Sequence, residues 1–200
     1  MSDRLLALHS ASIADTHAIA AVIAGLSRPG DIIVLAGEMG AGKTAFAQGF
    51  GKAIGVTDVI TSPTFTLVHS YPIESGPRAG KVTLHHADLY RLERTAEVAD
   101  LALRELAEFA GIVLVEWGDV VDLFGDHLVV HLDSQIPDDR DADPADADET
   151  GDNDETDDDS DDDSDVLALD GARHIEVDAV GPGWAGRWHR LLDGLEPHRC

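Results

Sequence analysis

Residues Gly37-Glu38-Met39-Gly40-Ala41-Gly42-Lys43-Thr44 match the pattern G-x-x-x-x-G-K-S/T at every fixed position. The chemistry open to such a segment is phosphate capture. Glycines let the loop curl until successive backbone N–H groups point inward at phosphate oxygens. A following helix adds unsatisfied donors and a partial positive charge at the same place. Lys43 is placed to reach the outer phosphates, and the Thr44 hydroxyl to ligate Mg²⁺. Two later carboxylates suit the same purpose. Asp88 follows the strand-like run 81–86, and Glu116 closes Ile112-Val113-Leu114-Val115. An acidic residue ending an apolar strand can hold a Mg²⁺ shell or orient an attacking water. The expectation is a nucleoside triphosphate site.

A pattern this short gains meaning from its flanks. Before it, residues 31–36 form an apolar, β-branched run that reads as a buried strand. After it, Phe46, Ala47, Phe50 and Ile54 recur at helical spacing until Gly55, a natural helix stop. Strand, glycine loop, helix is the required context. Upstream, Leu5 to Leu8 predict an edge strand. Ser12 or Asp15 then caps a helix to about Leu26, with Ala18, Ile19, Val22, Ile23 and Leu26 on one side. Arg28-Pro29-Gly30-Asp31 predicts a turn.

Downstream, Thr61-Ser62-Pro63-Thr64 is a hydroxyl-rich loop in which Pro63 blocks regular structure. Thr64 either ligates the metal or its waters, or is a turn threonine bonded to its own backbone. Residues 65–71 and 81–86 predict a hairpin across the turn 75–80. Its adjacent His85 and His86 face opposite sides of a strand, which speaks against a histidine metal site. A helical stretch from Thr95 to Phe109 ends at Gly111, and the apolar strand before Glu116-Trp117 follows. Residues 127–133 and 173–179 read as two further strands, and 184–195 as a closing helix.

The chain of 200 residues suits one domain, spanning 1–200, and carries a formal charge of −25. Residues 138–165 hold 17 acidic side chains against one basic, Arg140, so more than half the excess lies in one tract. That tract lacks aromatic residues and is expected to be a disordered insert within a hairpin. The acidic balance excludes nucleic-acid binding through general phosphate attraction. No apolar run reaches membrane-spanning length, and one cysteine, Cys200, allows no disulfide framework. A cytoplasmic protein with no membrane attachment is the expectation.

Among triphosphate-using proteins, a GTPase needs an Asn-Lys-x-Asp element, and the sole asparagine, Asn153, lies in the acidic tract. Asp122-Leu123-Phe124-Gly125 matches D-x-x-G but does not sit at the end of the strand that finishes at Glu116. A small-molecule kinase transferring the γ-phosphoryl group stays open as the alternative, although Arg91, Arg94 and Arg104 are too scattered to suggest a lid.

Four ordered blocks narrow the choice. They are residues 37–44, Thr61-Ser62-Pro63-Thr64-Phe65-Thr66-Leu67-Val68, His86-Ala87-Asp88-Leu89-Tyr90-Arg91-Leu92, and Val115-Glu116-Trp117. Together they resemble the TsaE family of ATPases, which act in bacterial synthesis of the threonylcarbamoyladenosine modification of tRNA. The resemblance implies an α/β fold, P-loop NTPase-like, with three layers and a central mixed sheet flanked by helices. It implies weak, Mg²⁺-dependent ATPase activity in an accessory subunit that drives or resets a complex of TsaB and TsaD. tRNA would be met only through that complex. Carried over by position, Met39, Gly40, Ala41, Gly42, Lys43 and Thr44 bind ATP. Thr44 and Glu116 hold Mg²⁺ with Asp88 beside them, and Lys43, Glu116, Asp88, Thr64 and Trp117 form the catalytic set. Thr64 then belongs to a switch-like loop. Arg173 lies where the family places a nucleotide-contacting basic residue, and a further contact falls near Ser12 to Thr16. Ala45, Ala102 and Gly118 depart from the family's usual residues, without removing a proposed ligand.

Overall fold

The computed structural model describes residues 4–63, 66–90, 102–117, 125–134 and 171–200. Seven strands are present among them: β1 (Leu5–Ser10), β2 (Ile32–Ala36), β3 (Val68–Pro72), β4 (Thr83–Asp88), β5 (Gly111–Glu116), β6 (His127–Ser134) and β7 (Arg173–Val180). Helices α1 (Ile13–Leu26), α2 (Lys43–Ile54), α3 (Leu103–Glu108) and α4 (Trp188–Leu195) complete the set, with a final 3-10 turn at Glu196–His198. One sheet runs in the order β1-β7-β6-β2-β5-β4-β3. Its centre is parallel: β2 pairs with β5 and β6, and β4 with β5. Both edges are antiparallel, through β3 with β4 and through β1 and β6 with β7.

The parallel strands lie at the middle because their residues tolerate burial on both faces. All five residues of β2 and all six of β5 are buried, as continuous apolar parallel strands should be. One face carries the larger core, with Ile19, Ile23, Phe46 and Phe50 of α1 and α2 against Ile33, Leu35 and Leu114. On the other face, Leu103 and Ala107 of α3 cover Ile32, Val34, Val113 and Val115. This is a P-loop NTPase-like α/β fold with a mixed central sheet between helical layers. No helix among the described residues is long and apolar enough to cross a membrane.

Local signals account for most boundaries. Ser12 caps α1, its side chain accepting from the Asp15 backbone N–H, while the Asp15 carboxylate accepts from Ala11 N–H. Gly55 ends α2 in the left-handed conformation at φ 102°. Three expectations need correction. The buried stripe of α1 runs through Thr16, Ile19, Ala20, Ile23 and Ala24; Val22 and Leu26 pack partly buried against the same core as expected, and Ala18 alone of the expected side is exposed. So alanine-rich a helix offers more than one apolar face, and packing on α2 selects among them. The break after α3 falls on Ala110, left-handed at φ 61°, rather than on Gly111. Gly111 instead begins β5, where a Cβ would lie 2.1 Å from the Leu106 carbonyl oxygen. The closing helix starts at Trp188, because residues 183–187 form turns that bury the Trp184 ring.

Thr64 and Phe65, the helical stretch proposed from Thr95 to residue 101, and the acidic tract lie outside the described residues. The strands on either side of the tract are antiparallel neighbours, with Ser134 opposite Arg173.

Candidate functional site

The site lies at the C-terminal ends of β2, β4 and β5, three of the parallel strands. The loop after β2 returns into α2 through Gly42, which has φ 101° and stands at the N-cap of α2. A side chain there would be strained, and its Cβ would sit 2.6 Å from the Arg173 Nε. Gly37 is confined from the other side, since a Cβ would approach the Leu132 carbonyl oxygen to 2.1 Å. Both glycines are therefore demanded by space as well as by backbone conformation.

Lys43 begins α2 and folds back over the loop. Its Nζ donates to the carbonyl oxygens of Gly37 at 2.8 Å and Glu38 at 2.7 Å, and stands 3.9 Å from the Trp117 ring centroid. These contacts pre-set the ammonium above the curl of backbone N–H groups. The next residue, Thr44, donates through Oγ1 to Glu116 Oε1 at 3.1 Å. Register brings the carboxylates together: Asp88 ends β4 directly beside Glu116, the last residue of β5. Both are buried, at 3% exposure. Asp88 accepts from Ser62 Oγ at 3.1 Å and from the Tyr90 backbone N–H at 2.9 Å. Glu116 accepts from Thr44 and, at 2.9 Å, from His86 Nε2.

Trp117 has φ 60°, uncommon for a bulky residue. Such backbone outliers cost about 1–3 kcal/mol and cluster at functional sites. Here the left-handed turn lets Trp117 N–H donate to the Leu35 carbonyl while its ring covers Lys43 and meets the Tyr90 ring at 5.1 Å. A cavity of about 360 Å³ opens among these groups, bounded by Gly40, Lys43, Thr44, Asp88, Glu116 and Trp117. A second, of about 590 Å³, adjoins it and shares Met39, Tyr90 and Trp117.

The donor chemistry fits a hard divalent cation. One hydroxyl and two carboxylates are all oxygen ligands, and Mg²⁺ commonly uses one or two carboxylates while keeping waters or phosphate oxygens. Among the described residues, no group of three or more His, Cys, Asp or Glu side chains forms an all-protein cage. His86 meets Glu116 at the site, while His85 points away to Ser70 Oγ at 2.8 Å. Burial lowers the His85 pKa below the ordinary histidine value.

The expected residues are distributed as follows. Gly40, Gly42, Lys43, Thr44, Asp88, Glu116, Trp117 and the exposed Met39 meet around the first cavity, and Ala41 is buried in the loop behind it. Thr64 falls outside the described residues; on its C-terminal side Leu67 N–H donates to the Pro63 carbonyl at 2.7 Å. Arg173 sits beneath the loop, 1% exposed, with Nε donating to the Ala41 carbonyl at 3.2 Å and Nη1 to the Gly171 carbonyl at 2.9 Å. Near Ser12 to Thr16, Ser12 is occupied as a cap and Thr16 hydrogen-bonds Ser10, which stands opposite Arg173. Reasoning from sequence did not pick out Ser62, Tyr90 or the part played by His86. The block 86–92 could have pointed to His86, because residues two apart on a strand share a face with Asp88.

The family model for TsaE, threonylcarbamoyl adenosine biosynthesis protein, matches residues 10–142. The tRNA threonylcarbamoyladenosine biosynthesis protein TsaE of Bacillus subtilis is 40% identical over 108 residues, 54% of this chain and 63% of its own. The chain thus spans less than two thirds of that relative's length. The proteins of the same name from Treponema pallidum and Streptomyces coelicolor are each 37% identical, over 56% and 60% of this chain and 78% and 79% of their own. The crystal structure of Bacillus subtilis YdiB superposes with a TM-score of 0.60 at 26% identity, covering 96% of this chain and 95% of that one. With the match extending over β1's last residue through β6 and the fold shared over nearly its whole length, this chain belongs to the TsaE family.

Proposed function

We propose that this protein binds and hydrolyses ATP with Mg²⁺ as an accessory subunit in tRNA threonylcarbamoyladenosine biosynthesis, driving or resetting a complex of TsaB and TsaD in the cytoplasm. The observation that carries the reading is convergence: Lys43, Thr44, Asp88, Glu116 and Trp117 come from three separate segments and border one cavity. Family membership supports the biosynthetic role.

In this reading the loop N–H groups from Met39 to Thr44 take the β-phosphate, and Lys43 spans the outer phosphates from its perch on the Gly37 and Glu38 carbonyls. Thr44 and Glu116 would hold Mg²⁺, with Asp88 beside them. When bound, the ion neutralises charge on the phosphate oxygens. Asp88, fixed by Ser62 and the Tyr90 N–H, orients the attacking water. The Trp117 ring shields Lys43 from solvent, which strengthens its field at the phosphates. Arg173 supports the loop from below. Thr64 lies on a switch-like loop whose neighbour Ser62 already touches the metal-side carboxylate. The chain's acidity supports contact with tRNA through the partners rather than directly.

The test is ATP turnover by the chain alone, with TsaB and TsaD added, and with candidate phosphoryl acceptors added. Slow turnover alone that rises severalfold with both partners is the expected result. Acceptor-dependent transfer with no response to the partners would replace the reading by that of a kinase.

A further inference from the structure

We propose that His86 is a positioning residue for Glu116, fixing its carboxylate so that one oxygen is tied to the protein and the other is offered to the cavity. The inference rests on the reading of that cavity as a Mg²⁺–ATP site. His86 is fully buried, and its Nε2 lies 2.9 Å from Glu116 Oε1. The same oxygen accepts from Thr44 at 3.1 Å. Both side-chain hydrogen bonds of Glu116 among the described residues therefore fall on Oε1. An ionised carboxylate only accepts, so the hydrogen of this contact belongs to Nε2.

The other side of the imidazole separates positioning from core packing. Nδ1 is buried with no hydrogen-bond partner among the described residues. His86 stands beside Leu114 in register, on the face that carries the main apolar core. An aliphatic side chain would fill that place without an orphaned ring nitrogen, which buried polar groups normally avoid. The only polar contact the ring makes among the described residues is to Glu116. The adjacent His85 shows the ordinary alternative, buried on the opposite face and bonded to a strand serine. Partners one step removed from a metal orient its ligands, and their loss commonly costs 10–100-fold in metal affinity or activity.

The experiment compares wild type with His86→Leu, His86→Gln and His86→Asn. ATP affinity is titrated against Mg²⁺, ATP affinity is measured in EDTA, and single-turnover hydrolysis and melting are recorded. His86→Leu is expected to raise the Mg²⁺ needed for half-maximal effect about 10-fold or more and to lower hydrolysis similarly. Its ATP affinity in EDTA stays within about twofold, because the ring's hydrogen bond among the described residues goes to Glu116 rather than to the loop N–H groups. His86→Gln, whose amide N–H reaches the same place, restores most of the Mg²⁺ response. A wild-type Mg²⁺ response in His86→Leu, whatever its melting temperature, overturns the proposal. So does a glutamine variant as impaired as leucine. If the leucine variant does not fold, glutamine against the shorter asparagine carries the test: a response kept in the first and lost in the second supports positioning, and equal responses sink it. Failure of the underlying site reading looks different, since wild type itself then shows no Mg²⁺-dependent ATP binding, and both fall.

Discussion

Carboxylates stand at both ends of the central strands, partly buried at one and fully buried at the other, and they are satisfied in opposite ways. Just before β2, Asp31 meets Arg187 through two bonds, Nη2 donating to Oδ1 at 2.8 Å and Nη1 to Oδ2. The same guanidinium donates to the Leu26 and Gly183 carbonyls and stacks 4.0 Å from the Trp184 ring centroid. At the far end, Glu116 is held by a hydroxyl and an imidazole, and Asp88 by a hydroxyl and a backbone N–H. A bidentate guanidinium saturates a carboxylate. Hydroxyl and N–H donors orient one while leaving its charge to attract a cation. The difference separates a clamp from a binding site.

The largest expected effect breaks the clamp. Arg187→Ala leaves the partly buried Asp31 without its cation; loss of one partner of a fully buried pair costs about 3–5 kcal/mol, and the residual exposure of Asp31 places this change at about 2–3 kcal/mol. Chemical denaturation should show that loss, while ATP turnover per folded molecule stays near wild type. A change confined to turnover would make Arg187 part of the site rather than of a structural clamp.

At the other end, Lys43→Ala should reduce ATP turnover by at least about 100-fold, equivalent to about 2.7 kcal/mol of barrier, with little change in melting temperature. Retained turnover would remove Lys43 from the site. Glu116→Ala should lower hydrolysis by about 10-fold more than it weakens ATP binding, measured by single-turnover kinetics beside equilibrium binding. Equal losses would make Glu116 structural, as Asp31 is.

A smaller effect tests His85 of β4. Desolvation holds the His85 pKa below its ordinary value, so the unfolded chain takes up that proton first as pH falls. His85 therefore subtracts stability below the ordinary histidine value, and the loss levels off once pH passes below its folded value. In His85→Gln, the decline of urea midpoint between pH 7.5 and 5.5 (the range about the histidine value) should be shallower than in wild type. The smallest effect belongs to the acidic tract. Replacing 138–165 with a short turn should leave turnover and melting nearly unchanged, because Ser134 and Arg173 already stand opposite one another.

Much of the architecture was legible in the residues. The β2–loop–α2 unit, the cap at Ser12, the stop at Gly55 and the strand ending in Glu116 all rest on short-range signals. Capping and turn chemistry act within a few residues, so one sequence window contains their cause. On α1 the larger apolar residues face the core as their spacing predicts, but Ala18 does not while Ala20 and Ala24 do, because alanine is compatible with either environment and only the neighbouring helix settles it.

The sequence by itself determined the kind of chemistry, since a glycine-rich loop with Lys43-Thr44 and two strand-end carboxylates has few uses other than phosphate and metal. Tertiary structure alone decided which groups touch. Strand order and register set Asp88 beside Glu116 and turned His86 rather than His85 toward it. It also closed Arg187 onto Asp31 across a separation of 156 residues. Hydrogen bonds depend on ångström-scale positions that chain-wide packing determines, and no local pattern encodes them.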